Sequence, residues 1–568
     1  MEKHDNCGAI RNRPTLRSEQ KYQLDAQASG SAALCSWGPM WRLFVGRTEQ
    51  TLLLPEHPTR EELDASVSTL AKNRLSLRSS GMVASSIRPT SWGSTRWRVE
   101  LVFWSSLLLC LCFATSVHAA TTNVVLILID DLGWKDLSCY GSDYYQTPNI
   151  DRLASEGMRF TNGYAACNVC SPTRAAILTG KYPARLLLTQ WLPSGRWNAK
   201  RHKKREGRYV SNLPLEEFTI AEALREADYR TAFMGKWHLG TETYYYPEHQ
   251  GFDVNVAGRD YGAPGSYFYP FKGKWKIPTT GQTLFKETPL PGKEGDYLVD
   301  RLAEEAAKFI QETANKPFFL MLSHYAVHAP LQGKPDKVRK YESVSRKAKE
   351  TVQGKPAYAA MVESVDDSVG LVTQTLREQK LDKNTLVIFT SDNGGFAKAT
   401  DNSPLRANKG SNYEGGIRVP LIIKWPGKSK PGSASDEPVT STDFYPTILA
   451  ATGQALRPHQ HVDGQSLVPV LTGGSLDRDA IYWHYPHYNQ HPQSFPSGVI
   501  RAGDWKLIEA YDSGELSLYN LADDLGETTN LAKKNPSKAE ELHAKLKAWR
   551  AEAGADPMRT NPEYIGSD

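Results

Sequence analysis

Short apolar runs alternate with longer amphipathic segments between residues 121 and 475. Uninterrupted Val, Leu and Ile residues, as in NVVLILI (123–129), are typical of a parallel strand that is buried on both faces. The segment TIAEALREADY (219–229) predicts a helix whose first turn is closed by a capping box of Thr219 and Glu222. Strands and helices in this alternation predict an α/β fold, in which a large doubly wound mixed sheet is flanked by helices.

The pattern changes after residue 475, where the apolar runs become shorter. We expect antiparallel strands from GVIRAGDWKLIEAY (498–511) and ELSLYNLADD (515–524), followed by an amphipathic helix from SKAEELHAKLKAWRAEA (537–553). The sequence therefore predicts a main domain over residues 121–475 and a smaller C-terminal α+β subdomain, with a short antiparallel sheet, over residues 476–568.

An apolar run near the N-terminus has the features of an export signal. The run LVFWSSLLLCLCFATSV (101–117) is preceded by Arg96 and Arg98 and followed by the small residues of HAA. We interpret residues 96–120 as a secretory signal peptide that is cleaved after these small residues, with an uncleaved membrane anchor as the alternative. The protein is therefore predicted to be secreted or periplasmic, with membrane contact only during export.

Residues 1–95 precede this signal, although signal peptides stand at the start of a chain. They are rich in Ser, Arg and Thr and show no sustained helical or strand periodicity. We expect them to be disordered or to result from an over-extended start, with Met82 as a candidate initiator. They do not enter the fold prediction.

The charge balance and the cysteine content narrow the class of protein. Lys and Arg number 68 against 63 Asp and Glu, and the basic residues form no dominant stripe, so we expect no nucleic-acid partner. Four of the seven cysteines lie before the predicted cleavage point, and Cys139, Cys167 and Cys170 remain. Three cysteines allow at most one disulfide, and a leftover thiol is unusual in an exported protein.

Polar side chains follow several of the apolar runs at the point where each predicted strand ends. In open α/β sheets, ligands bind beyond the carboxyl ends of the strands, so we expect these side chains to share one pocket. The residues concerned are Asp130 and Asp131, Lys236 and His238, His324 and His328, and Asp392 and Asn393.

The chemistry of these groups indicates the kind of ligand. The acids and the amide supply only oxygen ligands, which suit a hard cation such as Ca²⁺ or Mg²⁺ better than zinc. Taken alone, an Asp-Asp pair after a strand is as often a turn or a helix cap. Lys236, Lys409 and Arg174 could hold an anion, although each alone would be a surface charge. A hard cation together with several fixed cations favours a tetrahedral oxyanion, sulfate or phosphate.

The segment CSPTRAAILTG (170–180) contains C-x-P-x-R followed by a helix that ends in L-T-G. In this feature the chain resembles the type I, formylglycine-dependent sulfatases of the alkaline phosphatase superfamily, among them arylsulfatases and N-acetylgalactosamine-6-sulfatases. The resemblance runs from about Asn123 to the C-terminus through LILIDDLGWKDLSCYG, TPNIDRLASEG, GKWHLG, VHAP, TSDNGG and NKGSNYEGGIRVPLI.

The resemblance implies a sulfuric ester hydrolase with a modified cysteine. In that family a maturation enzyme oxidises the motif cysteine, here Cys170, to formylglycine, whose aldehyde hydrates to a gem-diol. One hydroxyl attacks sulfur, which gives a covalent sulfate ester and releases the alcohol, and deprotonation of the other hydroxyl expels sulfate. The implied substrate is a sulfated carbohydrate or an aryl sulfate, and the alternative is a phosphate or phosphonate ester.

Family roles carry over to individual positions of this sequence. The resemblance implies that Arg174 holds the formylglycine hydroxyl and that Lys236 and Lys409 bind sulfate oxygens. It implies that His238 accepts a proton in the elimination step and that His328 donates one to the leaving alcohol. The ligands implied for one calcium ion are Asp130, Asp131, Asp392, Asn393 and the modified Cys170.

Several features remain open at the level of sequence. Val327 stands where members of the family commonly have Pro, which weakens the resemblance beside His328. Cys167 is a free bystander or is bridged to Cys139, and a redox pair of Cys167 and Cys170 is the alternative to a modified cysteine.

Other polar and aromatic clusters have both a functional and a structural interpretation. The basic run NAKRHKKREGR (198–208) either attracts a polyanionic glycan or is a solvated loop. His324 has no counterpart in the family and is expected to be packed or on the surface. The histidines His484, His487 and His491 could form a metal site, although sugar contacts or ordinary packing are favoured. Trp191 and Trp197 either stack on a sugar face or simply pack.

Overall fold

The computed structural model describes residues 121–193, 196–276, 283–344 and 355–566. The predicted N-terminal extension and signal peptide, residues 1–120, lie outside the described residues, and both stay predictions. Within the described ranges, no helix has the length and the apolar content that crossing a membrane requires.

One mixed sheet of eight strands forms the centre of the molecule. From edge to edge its strands are β12 (Ser433–Ser435), β2 (Met158–Phe160), β11 (Leu421–Lys424), β10 (Thr385–Ser391), β1 (Asn123–Ile129), β9 (Phe318–Ser323), β5 (Arg230–Gly235) and β6 (Val254–Val256). Strand β11 is antiparallel to both of its neighbours, whereas the other adjacent pairs are parallel. Strands β1, β9 and β10 are buried along their whole length, as their apolar sequences predict.

Helices cover both faces of this sheet because its inner strands are apolar on both sides. Along β1, Ile127 belongs to the core on one face and Leu126 to the core on the other. The first face is covered by α1 (Pro148–Glu156), α5 (Leu298–Glu312), α6 (Pro335–Ser343) and α7 (Pro356–Glu378), and the second by α2 (Cys170–Thr179), α4 (Ile220–Glu226), α9 (Phe444–Ala451) and α10 (Val468–Leu471).

A smaller antiparallel sheet lies in the C-terminal part of the chain, and helix α11 (Pro536–Glu552) packs on it. Its strands, in spatial and chain order, are β14 (Ile481–Tyr485), β15 (Ser497–Ala502), β16 (Trp505–Ala510) and β17 (Leu516–Asn520). The other elements are α3 (Pro183–Leu186), α8 (Glu414–Ile417) and the strand pairs β3 (Gly163–Tyr164) with β13 (Val439–Thr440), β4 (Lys204–Arg205) with β18 (Arg559–Thr560), and β7 (Lys272–Lys276) with β8 (Thr283–Glu287). Short 3-10 helices span Ser138–Tyr140, Thr243–Tyr245, Pro247–His249, Asp382–Asn384 and Ser441–Asp443.

The predicted fold class is confirmed in both of its parts. The main sheet is mixed and doubly wound, and a short antiparallel sheet follows it. The predicted capping box is also present at the start of α4, where Thr219 and Glu222 each accept a hydrogen bond from the other's backbone amide. The domain boundary at residue 475 stays a prediction.

Candidate active site

The carboxyl ends of four neighbouring strands meet at one edge of the main sheet. Ile129 of β1 pairs with Ser391 of β10, and Ser323 of β9 pairs with Leu128 of β1 and with Gly235 of β5. Because these strands are parallel and in register, the residues that follow them lie side by side. The structure thereby brings together Asp130, Asp131, Lys236, Asp392 and Asn393.

The acidic oxygens at this edge could hold a metal ion. One oxygen each of Asp130 and Asp392 lies within 4.8 Å of the Cys170 Sγ atom and of each other. The Asp131 amide donates to Asp392 Oδ1 at 3.3 Å, and Asn393 Nδ2 donates to Asp131 Oδ1 at 2.8 Å. Two buried oxygens, Asp130 Oδ1 and Asn393 Oδ1, have no hydrogen-bond partner. Since buried polar atoms are nearly always paired, these oxygens fit a bound hard cation.

Two buried lysines contact the aspartates that follow β1. Lys236 Nζ lies 2.7 Å from Asp130 Oδ2, and Lys409 Nζ lies 2.5 Å from Asp131 Oδ1. Burial raises the pKa of Asp130 well above its ordinary value despite the Lys236 ammonium, and the carboxylates of Asp392 and Asp131 raise it further. Burial also opposes ionisation of Asp131, but Lys409 holds the pKa of that carboxyl below its ordinary range. An added cation would therefore favour the ionised form of Asp130.

Arg174 on α2 is held by hydrogen bonds to groups at the carboxyl ends of β10, β5 and β9. Its Nε and Nη2 atoms donate to Asp392 Oδ2 at 2.9 and 2.7 Å. Its Nη1 atom donates to the carbonyl of Lys236 and to Ser323 Oγ, both at 2.6 Å. Ser323 is a positioning residue that the sequence analysis missed, although it ends β9 beside the predicted site. Arginine and the two lysines balance the three carboxylates, so a divalent cation would leave the site positively charged.

Cys170 is the first residue of helix α2, after Val169 in extended conformation as the N-cap. Its Sγ atom lies 3.4 Å from Nδ1 of His238. The partial positive charge of the helix N-terminus favours an anion at this position. Burial raises the pKa of the Cys170 thiol, so the unmodified residue stays a neutral thiol and a weak nucleophile.

The tautomer of His238 follows from its hydrogen bonds. Its Nε2 atom lies 2.6 Å from the carbonyl oxygen of Leu192. A carbonyl can only accept, so Nε2 carries the hydrogen and Nδ1 presents a lone pair to Cys170. Burial, and then the Lys236 ammonium, lower the pKa of His238 well below its ordinary value, so the ring is neutral. Gly262 packs closely on the ring, since a Cβ atom there would lie 2.5 Å from the imidazole Cε1.

His328 lies at the same acidic group. Its Nδ1 atom donates to the carbonyl of Ala329 at 2.8 Å, and its Nε2 atom lies 3.7 Å from Asp131 Oδ2. Burial lowers the pKa of His328 well below its ordinary value. The preceding Val327 amide donates to the Asp130 carbonyl at 2.7 Å, a bond that a proline at this position could not make. Val327 therefore ties the His328 loop to the end of β1.

A cavity of about 230 Å³ opens over these groups. Its floor contains Cys170, His238, His328 and Lys409, all selected from the sequence. Its walls come from loops and from the β7–β8 hairpin, and these segments carry no catalytic motif. Only the aromatic-rich segments around Trp191 and His491 gave a signal in the sequence. The wall residues include Trp191, Arg196, Asp260, Tyr261, Lys286 and His491.

The other histidines selected from the sequence have different positions. His324 is packed, with its Nε2 atom 2.8 Å from the Ser368 hydroxyl. His484 and His487 are also buried and hydrogen-bonded within the protein, as ordinary packing predicts. Only His491 of the C-terminal three lines the cavity, among the residues that the structure describes.

The cysteines of the described chain, Cys139, Cys167 and Cys170, are all free thiols. The expected alternative of a bridge between Cys139 and Cys167 is therefore absent from this part of the chain. Burial raises the pKa of Cys167 to about 12, and thiols of this kind are chemically inert. Cys167 is thus a buried, unreactive thiol, as expected of a bystander.

The basic run 198–208 is tied to the C-terminal end of the chain. Arg205 Nη2 lies 2.8 Å from Glu563 Oε1, and Arg208 Nη2 lies 3.0 Å from Asp556 Oδ1. Strand β4 within the run pairs with β18. The run is thus partly ordered by ion pairs and a strand, and its glycan-binding interpretation stays open.

Known protein families match most of the described chain. The family model described as Sulfatase matches residues 122–454, and the model described as N-sulphoglucosamine sulphohydrolase, C-terminal, matches residues 407–552. A sulfatase of Formosa agariphila is 35% identical over 500 residues, which cover 75% of this chain and 88% of that protein. Arylsulfatase A of Homo sapiens is 34% identical over 433 residues, which cover 71% and 77% of the two chains.

One further relative is named for a sugar, and one solved structure contains an oligosaccharide. The N-acetylgalactosamine-6-sulfatase of Canis lupus familiaris is 32% identical over 409 residues, which cover 69% of this chain and 73% of that protein. The crystal structure of Ps i-CgsB in complex with k-i-k-neocarrahexaose superimposes with a TM-score of 0.64 at 29% identity. That superposition covers 79% of this chain and 95% of the other.

Proposed function

Because the chain belongs to the sulfatase family and is a sulfuric ester hydrolase, we propose that it removes sulfate from a sulfated carbohydrate with a formylglycine made from Cys170. The observation that carries the proposal is the position of the Cys170 Sγ atom. It lies 3.4 Å from His238 Nδ1 and within 4.8 Å of oxygens of Asp130 and Asp392. This arrangement supports a nucleophile, a proton acceptor and metal ligands that act on one substrate.

The formylglycine would come from oxidation of Cys170 by a maturation enzyme of the host. The Sγ atom stands for the hydroxyl oxygens of the hydrated aldehyde. Once hydrated, that group supplies one hydroxyl that attacks sulfur and a second whose deprotonation releases sulfate. A cysteine has no hydroxyl whose deprotonation could release sulfate, and burial keeps the Cys170 thiol protonated. The encoded residue alone could therefore not complete this cycle.

The residues at the strand ends fit one calcium ion. All the side chains that would hold it offer oxygen, and two of these buried oxygens lack a partner. When bound, calcium would offset charge on the sulfuryl group and lower the pKa of a hydroxyl that it contacts. The proposed ligands are Asp130, Asp131, Asp392, Asn393 and the modified residue 170.

The fixed cations of the site would bind the sulfate oxygens. Lys236 and Lys409 each carry three donors, so each ammonium can keep its aspartate and donate to a sulfate oxygen as well. Arg174, held by Asp392 and Ser323, would orient the formylglycine hydroxyl. Because these side chains are already buried and paired, little reorganisation is needed when the substrate binds.

The two histidines would move protons at different stages. His238 Nδ1 holds a lone pair aimed at residue 170, and Nε2–H donates to the Leu192 carbonyl, which stabilises the ring once Nδ1 is protonated. His328 must gain a proton at Nε2 before it can donate to the leaving alcohol. An anionic sulfate ester in the cavity favours that protonation, because opposite charges attract.

A carbohydrate is the favoured substrate, and export the favoured route to it. The cavity walls contain Trp191 and Tyr261 as faces for a sugar ring, and polar groups between them. The canine relative is named for a sulfated aminosugar, and the Ps i-CgsB structure contains a neocarrahexaose. The predicted signal peptide at residues 96–120 would deliver the enzyme to the periplasm or the medium.

Mass spectrometry combined with a substrate panel tests the proposal. The chain is produced in a host that contains the formylglycine-generating enzyme, and the peptide across residue 170 is analysed. We expect an aldehyde or its hydrate at that residue. We also expect calcium-dependent release of sulfate from sulfated glycans and aryl sulfates, faster than release of phosphate from phosphate and phosphonate esters. Cys170→Ala should lower turnover by about 10⁴-fold or more.

The neighbouring thiol offers a matched control. Cys167→Ala removes a second buried sulfur from the same segment and should retain most of the turnover. An active enzyme with an unmodified thiol at residue 170 would contradict the formylglycine mechanism. Faster hydrolysis of phosphate or phosphonate esters than of sulfate esters would replace the proposed substrate by the alternative one.

A further inference from the structure

Lys286 is a buried cation in the cavity that the proposed mechanism does not use. It lies on β8, where Leu284 and Lys286 face inward and line the cavity, whereas Thr283, Phe285 and Glu287 are exposed. This alternation has the period of two that a strand requires. Lysines are mostly exposed to solvent, whereas Lys286 on the inner face of this hairpin is only 7% exposed.

The surroundings of Lys286 place its charge near the reacting groups. Its Nζ atom lies 3.5 Å from the carbonyl oxygen of Ala263 and 5.6 Å from the centre of the Tyr261 ring. Its side chain lines the same cavity as Cys170 and His238. Burial, and then the neighbouring Lys236, lower the pKa of Lys286 to about 8. An anion beside this ammonium would offset both effects.

The walls of the cavity carry more positive than negative charge. Among the described residues that line it, Asp131 and Lys409 pair with each other at the floor. The walls contain two cations, Arg196 and Lys286, and one carboxylate, Asp260. The described wall residues therefore carry two positive charges and one negative charge. The floor already provides cations for the scissile sulfate, and the surplus on the walls therefore fits a second anionic group.

We propose that Lys286 is a specificity-determining residue that binds a second anionic substituent of the substrate, a carboxylate or a further sulfate on the sulfated sugar or its neighbour. This inference rests on the proposed function, because it concerns the same cavity. It narrows the substrate class from sulfated carbohydrates in general to those with at least two anionic groups close together. Arg196 on another wall, held by Gln490, is the second cation available to such a substrate.

A purely structural role of Lys286 makes a different prediction. By its contact with the Ala263 carbonyl, Lys286 could simply hold the loop whose Gly262 packs on the His238 ring. Loss of the lysine would then disturb His238 and slow every substrate by the same factor. A role in recognition would change only the substrates that carry the second anion, and mainly through KM.

Steady-state kinetics of Lys286→Met separate the two roles. The substrates are an aryl sulfate, a monosulfated monosaccharide, a disulfated monosaccharide and a sulfated disaccharide that contains a uronate. We expect the parent enzyme to prefer one of the last two substrates. In the variant, kcat/KM for that substrate should fall by about 10- to 100-fold, because a hydrogen bond to a charged group is lost. Turnover of the aryl sulfate should change by less than about threefold.

Two further variants complete the test. Lys274→Met removes an exposed lysine from the same hairpin and should change none of the four substrates. Lys286→Arg should restore part of the preference, which a loss of loop packing would not predict. An effect confined to the uronate substrate assigns a carboxylate to Lys286, and an effect confined to the disulfated sugar assigns a sulfate.

The failures of the inference and of the proposed function are distinguishable. If the parent enzyme hydrolyses sulfate esters but Lys286→Met slows all four substrates equally, the inference is wrong and the proposed function stands. The same holds if the parent enzyme shows no preference for substrates with a second anion. If the parent enzyme releases no sulfate from any of the four, the proposed function itself is contradicted.

Discussion

The acidic residues of the active site and those of a second buried group are neutralised by lysine and arginine in similar ways. The active site pairs three carboxylates with three cations. The second group lies between helix α8 and the C-terminal sheet, and we call it the subdomain cluster. Its members are Tyr164, Glu414, Arg418, Arg501, Lys506 and Glu527.

The two groups differ in the surroundings of the oxygens that accept no hydrogen bond. In the subdomain cluster three of the four carboxylate oxygens accept a hydrogen bond, and the fourth, Glu527 Oε1, has no hydrogen-bond partner but lies 2.8 Å from the Lys506 ammonium. Glu414 contacts Lys506 and the Tyr164 hydroxyl, and Glu527 contacts Lys506 and the Glu414 amide. In the active site, Asp130 Oδ1 and Asn393 Oδ1 have no hydrogen-bond partner either, and the neighbouring Asp131 and Cys170 line the cavity.

Burial of charge is therefore not by itself a sign of catalysis. In the subdomain cluster the Lys506 ammonium contacts both carboxylates and fixes one geometry between helix α8 and the C-terminal sheet. An incompletely paired cluster at the floor of a cavity keeps ligand positions available. The difference lies in Cys170 and the cavity at the active site, since both groups contain similar ionisable residues and each has an unpaired oxygen.

Removal of one lysine from each group should give opposite results. Lys409→Met removes a proposed sulfate ligand and should lower turnover by about 10²- to 10³-fold, with a smaller effect on stability because Asp131 lines the cavity and keeps Asn393. Lys506→Met leaves two buried carboxylates without their ammonium and should lower the free energy of unfolding by about 3–5 kcal/mol. Sulfate release and urea unfolding measure the two effects.

Charge-preserving variants serve as controls for this pair. Lys506→Arg should recover more of the stability than Lys506→Met, since a cation returns to the cluster. The comparison fails if Lys506→Met is as stable as the parent, or if Lys409→Met destabilises the protein more than Lys506→Met does.

The parts of the site that could be predicted are encoded locally. Buried parallel strands stand out as apolar runs, and the polar residues that follow Ile129 and Ser391 come next in the chain. The short motif C-x-P-x-R, at the start of a helix, identifies Cys170. Lys286 could not be predicted, because its inward direction depends on the register of β8 against β7. Glu527 meets Glu414 across 113 residues, so the subdomain cluster has no local signal.

Calcium should stabilise the active-site group and leave the subdomain cluster unaffected. A ligand that binds only the folded state at 100 times its Kd adds about 2.7 kcal/mol to the free energy of unfolding. We expect this gain in urea unfolding when calcium is returned to the chelated enzyme, together with recovered sulfate release. Asp392→Asn should abolish most of the gain, because the variant loses a proposed ligand.

An acid outside the site provides the control for calcium binding. Asp401→Asn changes a carboxylate in a separate surface groove and should keep the full response. An unchanged response in Asp392→Asn, or recovery of activity with zinc but not with calcium, would contradict the proposed oxygen-ligated site.

The smallest expected effect is a pH dependence that comes from the subdomain cluster. Burial raises the pKa of Glu527 to about 7, whereas Lys506 holds the pKa of Glu414 at about 2 although burial opposes it. Between about pH 4.5 and 7 the folded state keeps a proton on Glu527 that the unfolded chain has released, so stability falls as the pH rises. The pKa of Glu414 lies below this pH range, so Glu414 keeps its charge within it. Glu527→Gln cannot ionise and should flatten the slope of unfolding free energy against pH, whereas the exposed Glu540→Gln should keep it. Equal slopes in both variants would show that the proton resides elsewhere.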